Sequence, residues 1–149
     1  MVKDWIRRLA FLSACACAGS VLSQGVIELA AGIHRIEAEL ASTFESRARG
    51  LMHRREMPGQ RGMLFVFPET EKHCMWMRNT YIPLSVAFMD DKGTIINIAD
   101  MQPQTEATHC ATRPARYALE MNRGWFAQRG IKPGARISGL DGAPEPRIQ

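Results

Sequence analysis

From residue 26 onward the apolar positions fall into short runs divided by turn residues, and most of the runs have a period of two. Val26-Ile27-Glu28-Leu29 reads as a strand and Ala30-Ala31-Gly32 as a turn. His34 to Leu40 then alternates, with Ile36, Ala38 and Leu40 on one face and Arg35, Glu37 and Glu39 on the other, which predicts a half-buried antiparallel strand. Gly62-Met63-Leu64-Phe65-Val66-Phe67 is apolar without a break up to Pro68, the pattern of a strand covered on both faces. Leu84 to Met89 and Thr94 to Ala99 flank Asp90-Asp91-Lys92-Gly93 and predict a β-hairpin. Tyr117 to Met121 is a further strand, and Ala135 to Ser138 follows the Lys132-Pro133-Gly134 turn as the last. Residues 53–60, 69–72 and 102–114 read as turns and loops.

One segment changes period. Ser42 and Glu45 form an S-x-x-E capping box, and Phe44, Ala48, Leu51 and Met52 recur at helical spacing. A short capped helix over 42–52 is therefore expected, with Gly50 marking either a close backbone approach or an early end. A minor helix is expected near 125–130. Together these elements predict a mainly-β single domain over residues 25–141: a β-sandwich or flattened barrel of seven or eight short strands, followed by a flexible tail at 142–149.

The first two dozen residues stand apart. Lys3, Arg7 and Arg8 precede an almost uncharged run, Leu9 to Leu22, rich in Leu, Ala and small residues. That run is short of the ~20 apolar residues a membrane span needs and suits a cleaved secretory signal over 1–24. Cleavage fits after Ala18 or Ser23. A lipoprotein reading, with Cys15 as the acylated N-terminus, is the lesser alternative. The export reading predicts a periplasmic or secreted protein with no stable membrane span once the signal is gone. It also changes the charge: three of the 19 basic and one of the 15 acidic residues would leave, taking the formal balance from +4 to +2. The basic character is then weak grounds for nucleic-acid binding, and none is expected. Arg47, Arg49, Arg54, Arg55 and Arg61 are read as a solvated face.

Two of the four cysteines, Cys15 and Cys17, lie in the signal, leaving Cys74 and Cys110 as an even pair in an exported domain. A disulfide between them is the main expectation. The competing reading is a zinc or copper site, since each follows a histidine, but neighbours on a strand point to opposite faces. The stretch His73-Cys74-Met75-Trp76-Met77-Arg78-Asn79-Thr80 read as a strand puts Cys74, Trp76 and Arg78 on one face and His73, Met75 and Met77 on the other.

Three segments, "RGLMHRREMPGQRGMLFVF", "WMRNTYIPLSVAFMDDKGTIINI" and "RYALEMNRGW", resemble the domain of unknown function 192 family of small, mostly exported prokaryotic domains. The resemblance runs from about residue 26 to about residue 140. It implies a mainly-β, sandwich-like fold and no assigned activity. It carries over Arg49, Gly50, Leu51, Met52, Gly62, Met63, Leu64, Phe65, Trp76, Met77, Asn79, Thr80, Pro83 and Glu120. After Ile82-Pro83-Leu84 the family pattern often has an aspartate; this chain has Ser85, so a role resting on that carboxylate does not carry over.

No nucleophile elbow, zinc-protease, phosphate-loop or dinucleotide signature is present in the sequence. Arg49, Trp76, Asn79, Thr80 and Glu120 have the mixture of aromatic wall, donors and acceptors that a small binding pocket needs. The expected function is a non-catalytic module that binds a small molecule, a glycan or a peptide segment, with no cofactor. Two alternatives stand beside it: an enzyme using polar residues of the same cluster, and periplasmic copper binding through Met and His. A blander reading has Arg49 paired to Glu120 and Asn79-Thr80 capping a turn.

Overall fold

Alternation and turn chemistry decide which strands pair. The computed structural model describes residues 25–145, so the expected signal over 1–24, Cys15 and residues 146–149 lie outside the described residues. The elements in chain order are β1 (Val26–Ala31), β2 (His34–Ala41), α1 (Phe44–Arg49), β3 (Arg61–Glu71), β4 (Cys74–Met75), β5 (Leu84–Met89), β6 (Ile95–Met101), β7 (His109–Cys110), β8 (Ala115–Asn122), α2 (Trp125–Gln128) and β9 (Ile137–Ser138). Seven strands form one curled sheet in the order β6-β5-β8-β3-β2-β1-β9, and β4 pairs with β7 in a small second sheet. The mainly-β single domain is as expected, and of its two expected forms the flattened barrel describes the curl.

The curl brings the two ends of the sheet together. Thr94, just before β6, bridges Arg136, just before β9. The Ile95 N–H donates to the Ala135 carbonyl at 2.8 Å, and the Ile137 N–H to the Gly93 carbonyl at 2.9 Å. Both sheet faces are consequently apolar. Leu64, Val66, Leu119 and Met121 belong to one buried cluster with Trp125 and Phe126 of α2. Met63, Phe65, Phe67, Val86 and Ala118 belong to the other, roofed by Leu51, Met77 and Ile82. This explains the unbroken apolar run of β3: successive residues enter different cores.

Five local expectations change. The helix starts one residue later, because Ala41 is still paired with Phe65 in the β2–β3 ladder. Thr43 is therefore the N-cap and Ser46 its capping-box partner, not Ser42 and Glu45. The helical apolar stripe does not form either: α1 buries none of its residues, Phe44 is 68% exposed, and Leu51 is buried only after the helix has ended. Glu69 to Glu71 continue β3 instead of looping, past an irregularity between Val66 and Glu71. Only Cys74 and Met75 of the 73–78 stretch pair as strand, because their partner β7 is itself two residues long. The burial alternation survives: Cys74, Trp76 and Arg78 are exposed and Met77 is buried. β2, expected antiparallel, is antiparallel to β1 and parallel to β3.

Candidate functional site

Gly62 sets the floor. A side chain there would place Cβ 2.5 Å from the Glu120 carbonyl oxygen, so glycine lets β3 and β8 approach closely. One residue on, Met63 pairs across β3–β8 with Glu120, which pairs across β5–β8 with Val86. The three side chains share a row on one face of the sheet. Glu120 thus projects into an apolar layer between a methionine and a valine.

It is 3% exposed, and among the described residues its carboxyl has no ion-pair or hydrogen-bond partner. Burial alone pushes its pKa up from the ordinary 4.5 to about 8. A value of about 8 favours the uncharged, protonated carboxyl at neutral pH, a form able to donate a hydrogen bond.

Above Glu120 is a cavity of about 30 Å³ that opens to solvent. That is room for a water molecule or one small functional group. Arg49, Trp76, Thr80 and Glu120 all line it, four of the five residues singled out in the sequence. Arg49 arrives from the end of α1, where Gly50 turns the chain with φ 47° and a Cβ would lie 3.2 Å from the Phe65 ring. Trp76 follows β4 and is 44% exposed, with the Arg78 guanidinium 5.6 Å from its ring centre. Thr80 is buried; its hydroxyl donates to the Arg78 carbonyl at 3.3 Å and its N–H to the Met77 carbonyl at 3.1 Å.

Asn79 does not line the cavity. It occupies the left-handed region at φ 55°, which asparagine tolerates, and its carbonyl accepts the His53 N–H at 2.8 Å. It shapes the turn that delivers Thr80. The anticipated Arg49–Glu120 pair does not form among the described residues, whereas the turn-capping role of Asn79-Thr80 does. Sequence reasoning missed Arg47 and Met75 as wall residues. Arg47 donates to the carbonyls of Ser42 and Val66 at 2.7 and 3.2 Å. Its signal was hidden among five nearby arginines, of which Arg54 and Arg61 instead pair with Glu39 and Glu37.

Cys74 and Cys110 are joined, with Sγ–Sγ 2.04 Å, and stand opposite each other in the β4–β7 pair. The bridge ties down the segment that carries Met75 and Trp76 over Glu120. It also consumes both thiolates that a metal site would have used. His73 stacks on Phe67 at 3.7 Å and its Nε2 bonds the Glu69 carbonyl oxygen at 2.8 Å. The methionines proposed as copper ligands divide between the two cores, Met63 and Met77 in one, Met89 and Met121 in the other. No group of three or more His, Cys, Asp or Glu side chains gathers at metal-binding distance among the described residues. None of their helices is long and apolar enough to cross a membrane.

Ser85, the departure from the family pattern, lies on the other face of the sheet. Its hydroxyl donates to Asp100 Oδ1 at 2.5 Å and accepts the Gly124 N–H at 2.9 Å. A carboxylate therefore stands beside position 85, supplied across the hairpin where Ser85 pairs with Asp100.

The model of the DUF192 family, an uncharacterized ACR, matches residues 16–139. The structure is similar to that of a protein of unknown function from Novosphingobium aromaticivorans DSM 12444, with a TM-score of 0.75 and 33% identity over 85% of this chain and 94% of that one. It is also similar to a Sinorhizobium meliloti 1021 protein described as a candidate transcription regulator, with a TM-score of 0.72 and 39% identity over 77% of this chain and 92% of that one. None of the curated proteins matches the chain.

Proposed function

The chain belongs to the DUF192 family, and from that premise we propose that it is an extracytoplasmic, non-catalytic module that binds a small molecule or partner segment in the cleft under Trp76. The observation that carries this reading is Glu120. A carboxyl buried without a partner opposes folding, and its placement at the floor of an open cavity supports a role in recognition. The size of the cavity limits what enters to a single small group. The rest of the ligand would lie across the half-exposed Trp76 ring and within reach of Arg49. One raised carboxyl, with arginines as the only other titratable groups on the cavity wall, favours binding over acid–base catalysis, which requires an acid and a base within reach of a reacting atom.

The residues that form the cleft come from four separate stretches of sequence. Eight of the fourteen positions carried over by the family resemblance line it: Arg49 to Met52, Phe65, Trp76, Thr80 and Glu120. Placement outside the cytoplasm draws on the basic start and apolar run of residues 1–24, together with the Cys74–Cys110 bridge, which suits an oxidising compartment.

A thermal-shift screen of small molecules, glycans and peptides tests the site. Compounds that stabilise the wild type should lose that effect in Trp76→Ala and Arg49→Ala. Hits that act equally on both variants would place binding elsewhere. The N-terminal mass of the protein recovered from its native host tests export: a chain beginning near residue 19 or 24, or at an acylated Cys15, is expected, and a full-length cytoplasmic chain would contradict it.

A further inference from the structure

We propose that the ligand of this cleft is an apolar molecule ending in a carboxylate, an inference that rests on the binding reading above. The arginines on the cavity wall, Arg47, part of whose guanidinium is already given to the Ser42 and Val66 carbonyls, and Arg49, can only donate, and so can the Trp76 indole N–H. The Thr80 hydroxyl hydrogen is already given to the Arg78 carbonyl. Glu120 holds its proton at neutral pH and has no acceptor for it among the described residues. The side chains therefore offer donors in excess, and the group that completes them must bring acceptors.

Two features narrow that group further. The cavity of about 30 Å³ admits one carboxylate and is too small for a sugar ring. Arg49, without an ion pair among the described residues, supplies the positive charge that an anion needs as it leaves water, and Glu120 supplies a charge-assisted O–H···O⁻ bond. The remaining walls, Leu51, Met52, Phe65, Met75 and the Trp76 face, are apolar and favour a hydrocarbon or aromatic body next to the carboxylate.

The titratable groups on the cavity wall are Arg47, Arg49 and Glu120; β3 and β5 present Met63, Phe65, Phe67, Leu84, Val86 and Phe88 to this layer, all of them apolar. Binding therefore follows Glu120. Below about pH 8 its proton bridges two carboxyl groups, and above that value its own negative charge repels the ligand.

Titration calorimetry on the disulfide-bonded protein with matched probes tests this. 3-Phenylpropionate is compared with 3-phenylpropanol and 3-phenylpropionamide, and an acetylated peptide ending in a free phenylalanine carboxylate with its C-terminal amide. At pH 7 the acids should bind at least about tenfold more tightly than their neutral partners. Acid affinity should fall at least about tenfold between pH 7 and pH 9. Glu120→Gln keeps a donor and should bind acids without that pH dependence, while Arg49→Ala should weaken acids and leave alcohols unchanged. Preference for the free acid identifies a small-molecule source and preference for the peptide a chain terminus; either supports the carboxylate class. Equal binding of acid and amide overturns it, as does an unchanged pH profile in Glu120→Gln. If no acid binds while other ligands bind in a manner that needs Trp76 and Glu120, the ligand class is overturned and the cleft stands. If no ligand needs those residues, the binding reading fails as well.

Discussion

Leu119 and Glu120 are neighbours on β8 that face opposite sides of one sheet, and they are buried to almost the same degree. Leu119 enters a core of leucines, valine, methionines and aromatic rings closed by α2. Glu120 enters a core of similar composition whose roof is a loop segment held by a disulfide and which leaves a cavity over the carboxyl. The first face is built for packing. On the second, one position is given to a group that weakens the fold. A single residue step along a strand separates a fully packed position from the floor of the proposed cleft.

Moving the carboxyl to the wrong face is the strongest way to break this contrast. Leu119→Glu puts it fully buried among the apolar side chains under α2, and should cost at least about 5 kcal/mol, seen as loss of the cooperative thermal transition. A folded variant with near wild-type melting temperature would show that the two faces are equivalent.

Removing the charge from Glu120 has the next largest effect and depends on pH. The unfolded side chain ionises near 4.5 while the folded one keeps its proton to about 8, a difference worth roughly 4–5 kcal/mol. Between these values the folded state binds more protons than the unfolded, so stability falls as pH rises and levels off above about 8. Glu120→Gln should remove that fall. Urea melts from pH 5 to pH 8.5 read it directly, and a variant with the same slope as wild type would assign the fall to another group.

Cys74→Ser should cost about 3–4 kcal/mol from the loop-closure entropy of a 36-residue separation. Because the bridge ties the roof of one face only, hydrogen exchange should rise in 73–80 and 103–111 well before β3, β5 and β8. Uniform exposure of all of them would show the roof to be part of the same cooperative unit.

Arg54→Ala is the smallest change, about 0.5–1 kcal/mol. Arg54 holds Glu39 through two bonds of 2.7 and 2.5 Å, which lowers the Glu39 pKa below 4.5. Its contribution is therefore present above about pH 4.5 and is lost as pH falls through the lowered value, the reverse of Glu120. Acid melts of the variant should lose that low-pH component and leave the rise from pH 8 down to pH 5 intact.

Much of this was legible in residue order. Alternation in His34 to Leu40, the apolar run of β3 and the Asp90–Gly93 turn are local signals, and each became the element it predicts. The helix cap was not, because Ser42 and Thr43 can both cap and the choice falls to the β2–β3 ladder, a long-range pairing. The strand end at Glu69 to Glu71 failed for the same reason: its polar residues read as loop until Glu71 pairs with Ala115 of β8. For the cleft, residue type was enough to select Arg49, Trp76, Thr80 and Glu120. It could not separate Asn79, which supports the turn through its backbone, or recognise Arg47, whose place on the cavity wall arises only when β2 and β3 align.

The most direct test of the account is the titration of the Glu120 carboxyl itself, followed by ¹³C NMR of glutamate-labelled protein and assigned by its absence in Glu120→Gln. A midpoint near 8 is expected, against the ordinary 4.5 of a solvated glutamate. A midpoint near 4.5 would mean that the carboxyl is solvated or paired in solution, and the donor-lined cleft proposed here would not exist.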